Sequence, residues 1–125
     1  MLIRKFTDLE VWKYAHELTL SIYEITKKFP HEEMFGLISQ IRRASISIES
    51  NIAEGFSRYH FKDRLNFYYQ ARGSLSELQT QLIIACDLAY IKQEQFQRYY
   101  DLSQKVLIIL SGLIKSTERL VKSKH

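Results

Sequence analysis

A chain of 125 residues amounts to one domain, and 46% apolar with 26% charged residues is a globular rather than a disordered mixture. Four glycines and one proline are too few for the frequent turns of a sheet-rich fold, so long helices joined by short loops are expected. Eighteen Lys and Arg against fourteen Asp and Glu leave a formal charge of +4, compatible with a polyanionic partner without requiring one.

Residues 8–29 read as the first helix. Thr7-Asp8-Leu9-Glu10 has the spacing of a capping box, in which the Thr7 hydroxyl and the Glu10 carboxylate satisfy each other's backbone amides. Phe6 and Val11 stand at the positions of a hydrophobic staple. Leu9, Trp12, Ala15, Leu18, Ile22, Ile25 and Phe29 then recur every three or four residues as one apolar face. Pro30 ends the run, because the residue before a proline disfavours helical geometry.

Residues 32–55 read as the second helix. Glu32 and Glu33 suit the positive end of its dipole, and Leu37, Ile41, Ala44, Ile48 and Ile52 form its stripe. Gly55 is expected to close it as a left-handed cap. The third helix, 60–90, carries Phe61, Leu65, Tyr68, Ala71, Leu75, Leu78, Leu82 and Ala85. The fourth, 93–121, has a heptad seam of Phe96, Tyr99, Ser103, Val106, Leu110, Leu113, Thr117 and Leu120. Glu54/Arg58, Glu94/Arg98, Asp101/Lys105 and Glu118/Lys122 are i,i+4 pairs in the favourable order. Lys122 to His125 are expected to fray. The fold class is therefore all-α: a single domain over 1–125, an up-down-up-down antiparallel four-helix bundle.

Chemistry is sparse. The residues three before His16, His31, His60 and His125 are Lys13, Lys28, Ser57 and Lys122, so the Glu-x-x-His motif of a di-iron bundle is missing. One cysteine excludes a thiolate zinc site and an internal disulfide, and Cys86 reads as a small buried hydrophobe. The glycines at 36, 55, 73 and 112 are too scattered for a phosphate loop, and no metal or cofactor is expected. Apolar runs such as Val106 to Leu110 are far shorter than the about 20 residues that span a bilayer. The start, Met1-Leu2-Ile3-Arg4-Lys5, lacks the apolar segment of a signal peptide, and a cytoplasmic protein is expected. Arg119 and His125 have the spacing of an Arg-x(4–6)-His pair of small helical ribonucleases, but His125 is the last residue of a lysine-rich tail.

The polar residues within the periodic segments form two stripes: Gln40, Arg43, Ser47, Asn51, Glu54 and Arg58 on the second helix, and Gln70, Ser74, Glu77 and Gln81 on the third. They read either as solvated faces or as a polar seam between helices or subunits. Their short and amide-bearing side chains favour the seam, as does Gly73, which costs about 1 kcal/mol relative to Ala within a helix and suggests a backbone passing close by. The eight Tyr and seven Phe lie mostly on apolar stripes and read as core. Tyr59 and Tyr69 are exceptions, because Arg58, Lys62, Arg64 and Arg72 cluster around them.

Several blocks occur in a recognisable order: Phe6-x-Asp8-Leu9-x-Val11-Trp12-x-x-Ala15, Phe29-Pro30, Gly36-Leu37-x-x-Gln40-Ile41-Arg42-Arg43-Ala44, Ser47-Ile48-x-x-Asn51-Ile52-Ala53-Glu54-Gly55, and Ala71-Arg72-Gly73-Ser74-Leu75-x-Glu77-Leu78. From about residue 6 to 91 the chain resembles the bacterial four-helix-bundle family named for proteins encoded in intervening sequences of 23S ribosomal RNA genes. The resemblance extends to the accessory variability determinant of diversity-generating retroelements. Ala89, where Gly is common before Tyr-Ile, and Glu49, where a small residue is common, depart from the pattern. The resemblance implies a homopentamer of antiparallel bundles with no enzymatic activity assigned. For the retroelement relatives it also implies binding to nucleic acid and to a reverse transcriptase.

The expectation is a non-catalytic, oligomeric protein that binds structured RNA or DNA. The contacts would be Arg58, Lys62, Arg64 and Arg72 near the third helix's start, and Lys115, Arg119, Lys122 and Lys124 at the tail. Gln40, Arg43, Ser47, Asn51, Glu54, Gly73, Ser74 and Glu77 would form the structural or oligomer seam. The alternative is a protein-interaction scaffold, for example for a reverse transcriptase, with incidental basic charge. A small ribonuclease is more distant.

Overall fold

The computed structural model describes residues 2–123 and is all-helical, with α1 over Glu10–Thr26, α2 over Leu37–Ser57, α3 over Phe61–Asp87 and α4 over Gln93–Ser123. Short 3-10 turns at Phe6–Asp8 and His31–Glu33 precede α1 and α2. Each helix packs against its sequence neighbours, and α1 against α4 closes a four-helix bundle. Short connections make consecutive helices antiparallel. The α2–α3 turn, the start of α1 and the end of α4 therefore share one end of the bundle. Among the described residues no helix is long and apolar enough to cross a membrane.

The apolar periodicities meet in one core. Leu18, Ile22, Ile41, Ile48, Ile52, Leu75, Leu78, Leu82, Val106 and Leu110 are fully buried, and each such side chain contributes about 1.5–3 kcal/mol of hydrophobic stabilisation. Small hydroxyl residues inside the core satisfy themselves locally. The Thr19 hydroxyl contacts the carbonyl oxygens of Ala15 and, across the α1–α2 interface, Ser45, both at 3.1 Å. Thr26 donates to the Ile22 carbonyl at 2.7 Å and accepts from Arg42 Nε at 2.8 Å, tying α2 back to α1.

Helix ends depart from the sequence expectation. The Thr7–Glu10 capping box does not form. Residues 6–8 make a tighter turn, and Asp8, not Thr7, takes orphan amides, accepting from the backbone N–H of Arg4 at 3.0 Å and Lys5 at 3.1 Å. These bonds hold its carboxyl below the usual range. The second helix begins at Leu37 rather than near Glu32. Glu33 acts from the preceding turn, accepting the Leu37 N–H at 3.1 Å and the Tyr90 hydroxyl at 2.8 Å. One carboxylate thus closes the start of α2 and fastens it to the α3–α4 turn, and its pKa is lowered, first by the Leu37 amide and then by Tyr90.

Gly55 is no cap either. It lies inside α2 with ordinary helical backbone, where a Cβ would stand 2.7 Å and 2.9 Å from Tyr68 ring carbons and 3.1 Å from the Arg64 carbonyl oxygen. Its missing side chain is the space into which buried Tyr68 packs. The left-handed residue in the chain is Ala89, with φ 63°, at the end of α3. Tyr90 N–H bonds the Ala85 carbonyl and Ala89 N–H the Cys86 carbonyl, both at 2.9 Å, which is a Schellman closure. The third helix therefore stops at Asp87 rather than 90, while α4 continues to Ser123, past the point where fraying is expected.

Candidate nucleic-acid interface

Two basic clusters some 50 residues apart in sequence come to the same end of the bundle. The first surrounds the α2–α3 turn. Arg58 ends α2, pairs with Glu54 at 3.5 Å and lies over the Phe67 ring at 4.7 Å. Arg64, from the first turn of α3, reaches back so that its Nε donates to the Arg58 carbonyl at 2.8 Å, and its guanidinium lies over Phe56 at 5.1 Å and Phe61 at 5.5 Å. Arg64 is thus half-buried and closes the carbonyl end of α2, a structural duty that sequence reasoning missed. Lys62 points to solvent, and Tyr59 is 87% exposed with its ring edge-on to His60 at 5.0 Å.

The second cluster runs along the end of α4, where Lys115, Arg119 and Lys122 recur at i, i+4 and i+7 and are all exposed. Two side-chain ties fix α4 beside α3. Gln79 Nε2 donates to Ser103 Oγ at 3.0 Å and Gln104 Oε1 at 2.8 Å, and the Tyr69 hydroxyl donates to Glu118 Oε2 at 2.6 Å. By accepting that hydrogen bond Glu118 favours the protonated phenol and raises the Tyr69 hydroxyl above the usual tyrosine range. This register sets Arg72, which lies over the Tyr69 ring at 5.1 Å, within about a helical turn of the level of Lys115. Lys124, the remaining tail cation, lies outside the described residues, as does His125.

The polar stripes divide. The Ser47 and Ser74 hydroxyls bond across α2 and α3 at 2.8 Å, and Asn51 Nδ2 donates to the Ser47 carbonyl at 2.9 Å and hydroxyl at 3.0 Å. Gln81 is buried, and its Oε1 has no hydrogen-bond partner among the described residues. Gln40, Arg43, Glu54, Gln70 and Glu77 are exposed instead. Gly73, expected beside a passing backbone, faces open space within 4 Å. Of the i,i+4 ion pairs only Glu54/Arg58 forms among the described residues. Lys105 lies over the Tyr14 ring at 4.0 Å, and Asp101 accepts from Gln97 at 2.8 Å. Cys86 is half-buried, its Sγ 3.5 Å from Gln93 Oε1. Among the described residues no three His, Cys, Asp or Glu side chains are grouped to hold a metal ion.

Fold and surface together define a small antiparallel four-helix bundle with a basic, aromatic-lined end. The chain belongs to the family of 23S rRNA-intervening sequence proteins, whose family model matches residues 7–112. It is similar in fold to a solved protein of unknown function from the S23 ribosomal protein family of Bacteroides thetaiotaomicron VPI-5482. The identity is 24%, the alignment covers 84% of this chain and 98% of that one, and the TM-score is 0.78. Among curated proteins no significant match is found.

Proposed function

We propose that the protein is a non-catalytic, cytoplasmic homo-oligomer that binds nucleic acid, structured RNA or duplex DNA, through the basic end of its bundle with little sequence preference. The observation that carries this reading is the run of exposed cations from the end shared by Lys62, Arg119 and Lys122 to Arg72 and Lys115, which lie level with each other further along α3 and α4, all of them, among the described residues, without a carboxylate partner. Cations held by a rigid scaffold and free of internal carboxylate partners can neutralise phosphates with little reorganisation, and phosphate contacts dominate sequence-independent affinity. Exposed Tyr59 beside them offers a face on which an unpaired base can stack. A single bundle at +4 binds a polyanion weakly. Five copies, the number the family resemblance implies, would carry five times that charge and link their sites on one strand.

The test is a titration of the full chain with a structured RNA and a duplex DNA at several salt concentrations. Affinity is expected to fall log-linearly with salt, with a slope of about −0.9 per phosphate neutralised on duplex DNA. Arg72→Gln with Lys62→Gln, and separately Lys115→Gln with Arg119→Gln, are each expected to lower the affinity and flatten that slope. Added RNA is expected to remain intact. Absence of binding at low salt to either nucleic acid would remove this reading and favour a protein scaffold.

A further inference from the structure

The apolar side chains that one chain leaves uncovered include two surfaces, one beside the start of α2 and one on the outside of α3. One is a groove of about 500 Å³ beside the start of α2, lined by Tyr23, Met34, Phe35, Ile38 and Ile46 with Arg43 among them. Phe35 is 95% exposed there. Arg43 has no carboxylate partner among the described residues. The other is the outer face of α3, where Glu77, Thr80, Ile84 and Asp87 recur at steps of three and four, with Ile83 and Leu88 beside them. Ile83, Ile84 and Leu88 are all exposed, and neither Glu77 nor Asp87 has an ion-pair partner among the described residues.

The two surfaces are complementary in charge and level in height. Covering the α3 face with a purely apolar partner would strip water from unpaired carboxylates, which is costly, whereas the groove brings a cation with its apolar floor. The Ser47–Ser74 bond fixes the antiparallel register of α2 on α3, so Arg43 lies level with Leu78, one residue from Glu77, and the start of α2, which Phe35 precedes, lies toward the end of α3 that carries Ile84 and Leu88. Rotation about an axis parallel to the bundle preserves height, so it can bring the groove of one copy onto the α3 face of the next.

We infer that the groove beside the start of α2 receives the outer face of α3 from a second copy of this chain, with Phe35 packed among Ile83, Ile84 and Leu88 and Arg43 facing Glu77. This specifies a contact for the homo-oligomer proposed above and rests on that reading. Because the two surfaces differ, the contact is head-to-tail, and repetition about such an axis closes a ring where the rotation divides a full turn.

Size exclusion with light scattering on the full chain at micromolar concentration tests it. The wild type is expected at a multiple of 14.9 kDa. Phe35→Asp is expected at the monomer mass with its helical circular dichroism unchanged, since Phe35 supports nothing inside its own chain. Arg43→Glu and Glu77→Arg are each expected to raise the concentration needed for assembly at least tenfold, and the double reversal to restore it. Ile108→Asp, 72% exposed on α4 and on neither surface, is expected to assemble as the wild type does. A wild-type oligomer that survives Phe35→Asp and both single reversals overturns this contact while leaving the oligomer standing. A monomeric wild type overturns the oligomer and the contact together.

Discussion

Replacing Gly55 by alanine sets helix propensity against packing, and the structure decides which wins. In an open helical position Gly→Ala is worth about 1 kcal/mol of stabilisation. At Gly55 the added methyl would stand 2.7 Å and 2.9 Å from two carbons of the Tyr68 ring and 3.1 Å from the Arg64 carbonyl oxygen. Tyr68 is 1% exposed, so its ring has no solvent to swing into, and the Arg64 carbonyl moves only if α3 moves. Overpacking costs about 1–3 kcal/mol, and with two ring carbons and a backbone oxygen inside contact distance the upper part of that range, about 2–3 kcal/mol, applies, which leaves a net loss of about 1–2 kcal/mol after the propensity gain. For a chain of this length 1 kcal/mol corresponds to about 4 °C in Tm, so Gly55→Ala is expected to melt about 4–8 °C below the wild type by circular dichroism. Gly112→Ala, with nothing within 4 Å of its new methyl, is expected to melt up to about 4 °C higher. In the Tyr68→Leu background, which removes the ring, the Gly55→Ala penalty should shrink by at least half. A Gly55→Ala protein as stable as the wild type would refute the close approach of α2 and α3.

Ala89→Gly relieves a left-handed alanine on an exposed turn, and after the added chain entropy of glycine it should raise Tm by about 2–4 °C. Ser74→Ala removes the hydroxyl bond to Ser47 and is expected to cost about 0.5–1.5 kcal/mol in urea denaturation. Arg43→Ala and Glu77→Ala, exposed and without ion-pair partners in their own chain, should shift single-chain stability by less than about 0.5 kcal/mol while weakening assembly in light scattering. Glu33, with its folded pKa lowered by Leu37 and Tyr90, contributes stability that is present above its unfolded pKa and lost as pH falls through the folded one. Tyr90, with its pKa raised by the same bond, contributes stability present below its unfolded pKa and lost as pH rises through the folded one. Glu33→Gln should therefore flatten the acid limb of a urea-midpoint profile against pH; an unchanged limb would place that dependence elsewhere.

Spacing along the chain sufficed for the four helices and most of their buried faces, because a 3.6-residue period is a local property that the tertiary fold must obey: Leu75, Leu78, Leu82 and Ala85 are buried where the stripe put them, whereas on α4 Ile114 is buried in place of Leu113 and Leu120 is 44% exposed, because a straight helix drifts off a strict heptad. Helix ends were less legible, since capping depends on which nearby acceptor reaches the amide first. Asp8 displaced Thr7, and Glu33 closes α2 from outside the helix while holding Tyr90, which is 57 residues away. Gly55 was misleading for the same reason, as composition cannot distinguish a turn from a close contact. Gly55 makes room for a side chain of the next helix, and Gly73 meets nothing within its own chain. Composition recorded a mild positive charge but not its distribution. The antiparallel topology gathers the α2–α3 turn and the end of α4 at one end, and local contacts sort their cations, turning Arg64 into a helix closure while Lys62, Arg72, Lys115, Arg119 and Lys122 face water. Periodicity is written in the chain one turn at a time, whereas the convergence of distant charges and the partner of each polar group exist only once the helices have packed.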